Sequence, residues 1–417
     1  MKDTLLALLR CPYCGTRLSL VENNALIRRG ADIESGVLGC ECCAFPIVAG
    51  IPVLIADDAT RDAMYALEAR RHDAALVGLL GLTGDRSDLF SSLIAGGAGT
   101  TYRAMLEVLS PDAEGTYFLY RFSDPTFLTA EALVRAVGRH DAAVTGPILD
   151  LCGGSGHLTR VLAGLRPADP QAPRTVIADL RFWKLWLATR FTAPDCSAVC
   201  CDADAPLPFM RDLFAMVVLA DAFPYIWHKR LCADEMMGVA RPDGVVVIPH
   251  LHSALGENFS AGDTLTPDAY RDLFTPYHPR LFSDSRLLKE ILEHRVVDLS
   301  CDLSPAELGG EPALTLVAGR RSNLFCRRAV PDTLDVAGQL RVNPLYQVER
   351  RDGRSMLTLT FPTPEYEAEF GSCRCYLPDT LTVDADLAGA VDPATLGSRY
   401  PELRRRRVLI DVPPHYY

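Results

Sequence analysis

The sequence predicts an α/β protein built on a doubly wound sheet, with a cysteine-rich segment before it and a β-rich stretch after it. Three observations predict this. The apolar run Ile148 to Leu151 stops at Gly153, Gly154 and Gly156, and Leu158, Val161, Leu162 and Leu165 follow at helical spacing. That pattern is a buried strand, a glycine turn and a helix. Strands then alternate with helical segments over about 180 residues, the signature of a sheet covered on both faces. Finally, cysteines cluster in pairs near the N-terminus, at Cys11 and Cys14 and again at Cys40 and Cys43.

Residues 1–57 come first. Cys11-Pro-Tyr-Cys14 and Cys40-Glu-Cys42-Cys43 form two knuckles separated by 25 residues. Two knuckles can supply four thiolates to a tetrahedral zinc. We read Cys11, Cys14, Cys40 and Cys43 as the ligands and set Cys42 aside, because Cys40 to Cys42 is tight for a knuckle. A redox pair fits poorly, since the segment is too short for the strand–helix junction that such a motif needs. About 55 residues bury little core, so a structural metal would act as a staple. Leu5 to Leu9 form an apolar helical turn before the first knuckle, and Phe45-Pro-Ile-Val and Gly50-Ile-Pro-Val-Leu follow the second. Over residues 1–56 this pattern resembles the zinc-ribbon family of methyltransferase activator subunits. The resemblance implies a helper module fused to the enzyme it serves.

Residues 58–140 read as helices that link the ribbon to the sheet and cap it. Asp62 to Leu79 carries Met64, Leu67, Ala75, Leu76 and Leu79, with a charged block from Glu68 to Asp73. Tyr117, Phe118, Tyr120, Arg121 and Phe122 form a denser cluster ahead of a turn at Asp124-Pro125. Ser123 or Thr129 can cap the helix that follows.

The methyl-transfer reading comes from residues 141–322. Asp150, then Gly154 and Gly156, resemble motif I of the class I S-adenosylmethionine (SAM) methyltransferases. Cys152 stands where the first glycine of that motif usually is, and Gly153 beside it keeps the turn flexible. Glycines serve there because a ligand must press against bare backbone. A nicotinamide dinucleotide fingerprint needs another glycine three residues after Gly156, where Thr159 stands. A strand–turn–helix with no ligand is the bland alternative.

Later segments keep the same register. Thr175 to Ala178 is a second strand ending at Asp179, 23 residues after Gly156, where a carboxylate can accept hydrogen bonds from ribose hydroxyls. Leu180 follows it. Val199 to Cys201 is a third strand with Asp202 and Ala203 at its tip. This resembles the family's adenine-contacting segment, trailed by Leu207, Pro208 and Phe209. Phe214 to Ala220 is a fourth strand, with Asp221 just beyond. Arg241 to Gly244 turn into a fifth strand, Val245 to Pro249, and residues 295–303 and 313–319 read as the last two. The resemblance implies a Rossmann-like, seven-stranded class I methyltransferase domain. It also implies SAM along Asp150, Cys152, Gly153, Gly154, Gly156, Asp179, Leu180, Asp202, Ala203 and Asp221. Arg121 on the preceding helical cap is read as a partner for the methionyl carboxylate.

The fifth strand runs into Pro249-His250-Leu251-His252. Alternation puts both histidines on one face, at the edge where chemistry is expected. Histidine is well suited to remove a proton near neutral pH, so both are candidate catalytic residues. A hydrogen-bonded pair supporting the turn, or a second metal site lacking an evident third ligand, are the alternatives. Tyr225 and His228 are weaker candidates nearby. Residues 253–292 read as a long insertion that serves as a lid. Residues 323–417 change character: Tyr346 to Arg350 and Met356 to Phe361 flank Asp352-Gly353, a hairpin signal. This β-rich appendage is read as completing the pocket, forming a homodimer interface or binding a carrier.

Composition narrows the acceptor. The net charge of −11 argues against a polyanionic substrate, since nucleic-acid binders usually carry basic patches and the one dense basic run is Arg404 to Arg407. No run of 18 apolar residues predicts a membrane span, and the N-terminus is too polar for a signal peptide. The expectation is a cytoplasmic, biosynthetic enzyme methylating the oxygen or nitrogen of a small or medium-sized molecule. An RNA or protein methyltransferase using the ribbon as adaptor, or a non-catalytic assembly protein, are the alternatives.

Overall fold

The computed structural model describes residues 1–140, 146–165, 175–258, 262–331 and 333–417. The expected start of the catalytic region, at residue 141, falls outside them. At the centre lies a Rossmann-like, mixed seven-stranded sheet. Its strands in chain order are β1 Ile148–Leu151, β2 Thr175–Asp179, β3 Ser197–Cys200, β4 Phe214–Val218, β5 Ala240–His252, β6 Pro279–Ser283 and β7 Ala313–Ala318. In space the order is β3-β2-β1-β4-β5-β7-β6. The first five strands run parallel, and β7 runs antiparallel between β5 and β6. The chain winds outward from β1 to β3, then returns to place β4 on the other side of β1. A ligand crevice opens at such a reversal, beyond the carboxyl ends of the strands.

Why these runs become strands is clear from their burial. Every residue of β1, β2 and β4 is buried, as in parallel sheets with both faces covered. Alternate side chains feed two cores. Ile148, Ile177, Met216, Val218 and Val247 join one with the helices Pro125–His140, His157–Ala163 and Asp284–His294. Leu149, Val176, Val217, Val246 and Ile248 join the other with the helices Lys229–Val239 and Pro267–Leu273.

The N-terminal segment takes part in that second core. Its strands Ser19–Val21, Ile27–Arg29, Asp32–Gly39, Ala44–Val48 and Ile51–Pro52 form a small antiparallel sheet, and Leu5, Leu9, Phe45, Ile47 and Leu54 pack under the large one. The docking extends to backbone. Leu54 N–H donates to the Cys200 carbonyl at 2.7 Å, and Val53 forms a parallel bridge to Cys200. The open edge of β3 is therefore covered, which removes a pairing hazard. Arg10 N–H donates to Pro208 O at 3.0 Å and Met210 N–H to Leu8 O at 2.9 Å. Leu207, Pro208 and Phe209 thus form part of the seat for the ribbon.

Three elements differ from expectation. The sixth sheet strand is Pro279–Ser283, inside the stretch read as a lid. Residues 295–303 instead contribute Val296–Asp298 to a separate ladder with Arg327–Ala329. The apolar pair Val296–Val297 was the stronger sequence signal, but β6 is an edge strand, and edges tolerate its proline and arginine. The stretch Asp62 to Leu79 is two helices, Asp58–Glu68 and His72–Leu79, broken where Arg70 takes φ +57° within the charged block. β5 runs through to His252, with a register break between Ile248 and Leu251.

Beyond residue 323 the hairpin Tyr346–Arg351/Arg354–Leu359 turns at Asp352 and Gly353, both at positive φ as a two-residue turn requires. The appendage packs back on the helical cap. Tyr416 stacks on Tyr102 with centroids 4.5 Å apart and shares a 2.7 Å hydrogen bond with His157 Nε2. Ser123 Oγ donates to Asn343 Oδ1 at 2.9 Å. Among the described residues, no helix is long and apolar enough to cross a membrane.

Candidate functional site

The glycine turn follows β1 directly. Cys152, Gly154 and Gly156 all sit at positive φ, of 56°, 57° and 85°. A Cβ on Gly153 would lie 2.7 Å from Ile177 and 2.9 Å from the Asp150 carboxyl carbon, and one on Gly156 would lie 2.8 Å from Ala188 and Thr192. The turn therefore hugs both the sheet and the next helix. Asp179 ties it down: Oδ2 accepts from Gly154 N–H at 3.0 Å and Oδ1 from Arg181 N–H at 2.8 Å. Burial raises its pKa despite those bonds and the nearby Lys184.

Asp150 lies deeper. It is buried, accepts from Thr159 Oγ1 at 2.6 Å, and burial with the Asp179 charge lifts its pKa to about 7. Its carboxyl supports the turn from inside. Asp202 stands at the tip of β3, half-buried, with Oδ1 accepting from Asp204 N–H at 2.8 Å. Ala203 faces the core. Beside Asp202 opens a cleft of about 190 Å³ lined by Leu180, Cys201 and Ala205 on the sheet side and by Tyr13 and Leu54 to Asp57 on the ribbon side. Leu180 and Tyr13 are 42% and 53% exposed, so two apolar surfaces confront each other across the cleft.

Further along the same edge lies a polar cluster. Asp221, at φ +64° after β4, receives the Tyr117 hydroxyl on Oδ2 at 2.8 Å. Arg121 Nη2 lies 3.7 Å from the same oxygen, while Nη1 donates to both Asp124 oxygens at 2.9 Å. Arg121 is buried, so its guanidinium buttresses Asp221 and the turn at Asp124, and the expected pairing with a cofactor carboxylate is not what its hydrogen bonds serve here. His250 takes φ +60° in the β5 bulge, which turns it toward Asp221. Its Nδ1 lies 2.9 Å from Asp284 Oδ2, and Asp284 Oδ1 accepts from Thr315 Oγ1 at 2.6 Å. His250 Nε2 faces His252 Nε2 at 3.1 Å and Asp221 Oδ1 at 3.8 Å. His252 is fixed through its backbone, whose carbonyl accepts from Tyr270 at 2.8 Å.

The electrostatics follow from this packing. Burial disfavours a charge on His250, but Asp221 and Asp284 outweigh it and hold the pKa up at about 9. Burial, then the His250 charge, depress His252 to about 4. Burial also opposes the charge of Asp221, yet His250 and Arg121 keep its pKa low. The appendage reaches this cluster through the helix Pro364–Phe370: Phe370 lies 6.0 Å from the Tyr117 ring, and burial with the Asp221 charge raises the pKa of Glu369. Tyr225 and His228 are exposed, and His228 lies beside Asp204 instead.

The N-terminal thiols also converge. Cys11, Cys14, Cys40 and Cys42 place their sulfurs within 4.8 Å of one another. This donor set fits a tetrahedral zinc. The converging group holds Cys42, while Cys43, the expected fourth ligand, places its Sγ 3.3 Å from that of Cys42. The reason is the turn. Cys40 N–H donates to Cys43 O at 2.9 Å and Cys43 N–H to Cys40 Sγ at 3.2 Å, so Cys43 closes the hairpin and enters the next strand. Cys42, at the tip, swings inward.

Tyr117 belongs to the aromatic cluster seen in the sequence, where nothing marks its bond to Asp221; Asp284 and Thr315 carry no local signal of their own. Tyr13 had a signal in its position between Cys11 and Cys14.

No family model and no curated protein matches the chain. Solved structures similar to it include the complex between the Haloferax volcanii Trm112 methyltransferase activator and a chain assigned as a methyltransferase (16% identity, TM-score 0.35, covering 50% of this chain and 98% of that one). Others are a SAM-dependent methyltransferase from Aquifex aeolicus (12%, 0.31, 52% and 98%) and a TehB-like SAM-dependent methyltransferase from Corynebacterium glutamicum (16%, 0.31, 46% and 88%). With TM-scores this low the likeness carries no chemistry, and the functional reading rests on the geometry of the sheet edge.

Proposed function

We propose that the chain is a SAM-dependent methyltransferase acting on a small or medium-sized metabolite. One observation carries the reading. At the reversal point of the sheet, a bare-backbone turn, the carboxylate of Asp179 and the carboxylate of Asp202 line one edge, with a cleft beside them. Those groups fit a nucleoside. Each oxygen of Asp179 accepts one backbone N–H and keeps a lone pair for a ribose hydroxyl. Asp202 accepts from the adenine amino group, and Leu180 and Tyr13 offer apolar walls to the ring. The cofactor, when bound, supplies a methyl group already activated on a sulfonium.

The protein's task is then alignment and proton removal. Asp221, His250 and His252 occupy the acceptor side, two strands from the nucleoside side, and Tyr117, Arg121 and Asp284 hold them in place. The helices Ala113–Tyr120 and Pro364–Phe370 border this region, which supports a confined acceptor over a flat macromolecular one. Backbone pairing of the ribbon to β3 supports a helper role in cis over a free adaptor. A SAM-consumption assay against fractionated metabolites, with total RNA in parallel, tests the reading. Turnover is expected with a metabolite fraction, and turnover confined to RNA would replace it.

A further inference from the structure

We infer that Asp221, His250 and His252 form a second metal site, separate from the cysteine set, which binds a divalent first-row transition ion and through it grips the acceptor by two oxygen atoms. The metal site stands on its own geometry. Only the acceptor role rests on the methyltransferase reading.

Convergence is the first argument. One ligand atom from each residue lies within 4.8 Å of the others. The two imidazole nitrogens face each other at 3.1 Å, and the Asp221 oxygen is 3.8 Å from the nearer one. Two nitrogens each about 2.1 Å from one ion, at right angles, would sit about 3 Å apart. Facing nitrogens at that distance require a shared cation or proton between them. The Nδ1 proton of His250 is directed to Asp284 at 2.9 Å, so an ion that displaces the proton on Nε2 meets a lone pair pointing into the gap.

The surroundings are those of a ligand set. Asp284 orients His250 from behind, and Thr315 fixes Asp284 in turn. A carboxylate behind a metal-binding histidine sets its tautomer and raises its basicity. Tyr117 and Arg121 hold the far oxygen of Asp221 and leave Oδ1 toward the histidines. His252 is 6% exposed and its Nδ1 has no partner among the described residues, so its ring is engaged at the gap. The charge balance agrees: Asp221 and Asp284 bring two negative charges to a pocket where Arg121 already answers Asp124.

The donor set fixes the class of ion and of acceptor. Two imidazoles and a carboxylate suit manganese, iron, cobalt, nickel or zinc, whereas magnesium prefers oxygen alone. Three protein donors leave positions open on a six-coordinate ion, and the site is reachable, since the side chains of Asp221 and His250 are 19% and 18% exposed. An acceptor bearing adjacent oxygens, such as a vicinal diol or a hydroxy acid, would fill two of those positions. A bound hydroxyl also loses its proton more readily.

The test uses the intact, zinc-loaded protein titrated with Mn²⁺, followed by electron paramagnetic resonance of the free ion, with zinc and SAM binding measured on the same samples. Wild type should bind one Mn²⁺ per chain with its zinc unchanged. His250→Ala with His252→Ala should lower Mn²⁺ affinity at least 100-fold. The conservative Asp284→Asn should lower it roughly 10–100-fold while the fold is kept. Equal Mn²⁺ binding by wild type and the double variant, or none by wild type, overturns the site. Failure of wild type to bind SAM while Mn²⁺ binds overturns the methyltransferase reading instead and leaves the metal site standing.

Discussion

The two ligand clusters of this molecule differ in almost every physical respect. The N-terminal set is four protein thiols on two tight turns, enough by themselves to complete a tetrahedron. The edge set is two imidazoles and a carboxylate, drawn from β4 and β5 and held by Tyr117, Asp284 and Thr315 from other elements. A closed set staples a small fold, whereas an open one leaves room for a substrate. Four thiols would staple the N-terminal segment, whereas the edge set depends on the surrounding scaffold to aim its side chains.

The largest expected effect breaks the closed site. Cys11→Ser with Cys14→Ser should abolish zinc binding and unfold the ribbon, since structural zinc contributes about 10 kcal/mol or more in small metal-stapled modules. Cys42→Ser should reduce zinc content sharply, and Cys43→Ser should leave it near one per chain by elemental analysis. The reverse ranking would restore Cys43 as the ligand.

Next comes the open site. The His250→Ala, His252→Ala variant should lose turnover by about 10²–10⁴-fold while SAM affinity is retained, whether the pair acts on a proton directly or through an ion. Full activity would make the pair structural. Lability sharpens the comparison further: brief treatment with a chelator should strip the edge ion and leave the ribbon's zinc, as mass spectrometry of the native protein would show. Simultaneous loss of both would mean that the two sites are equally open to the chelator.

How much of this was legible in the sequence depends on the range of the interaction. β1, β2 and β4 announce themselves because a strand buried on both faces must be apolar throughout. The carboxylates Asp179, Asp202 and Asp221 follow from register, since each comes directly after or within three residues of its strand's end. Spacing located the knuckles too, but it does not encode which way a Cβ points, and so it does not decide between Cys42 and Cys43. The edge strand Pro279–Ser283 has only a short apolar pair, Leu281 and Phe282, and the better-looking Val296 and Val297 belong to another ladder. Missing β6 hid Asp284, which lies 34 residues from His250 in sequence. Tyr117 and Arg121 meet Asp221 across about a hundred positions, a distance at which no local pattern reports.

The smallest effect links the two regions. Tyr13 sits between Cys11 and Cys14 yet lines the cleft beside Asp202. Tyr13→Ala should weaken SAM binding by about 1 kcal/mol, the scale of an aromatic contact, with zinc content unchanged. An unaltered affinity would confine the ribbon to a structural role.

The edge formed by the glycine turn, Asp179 and Asp202 is where SAM is proposed to bind. Titration calorimetry of the intact protein with S-adenosylhomocysteine tests it most directly, beside Asp179→Ala. One site per chain is expected, weakened by about 1–3 kcal/mol in the variant as hydrogen bonds to a charged acceptor are lost. Absence of binding to the wild-type protein, or equal affinity in the variant, would contradict it.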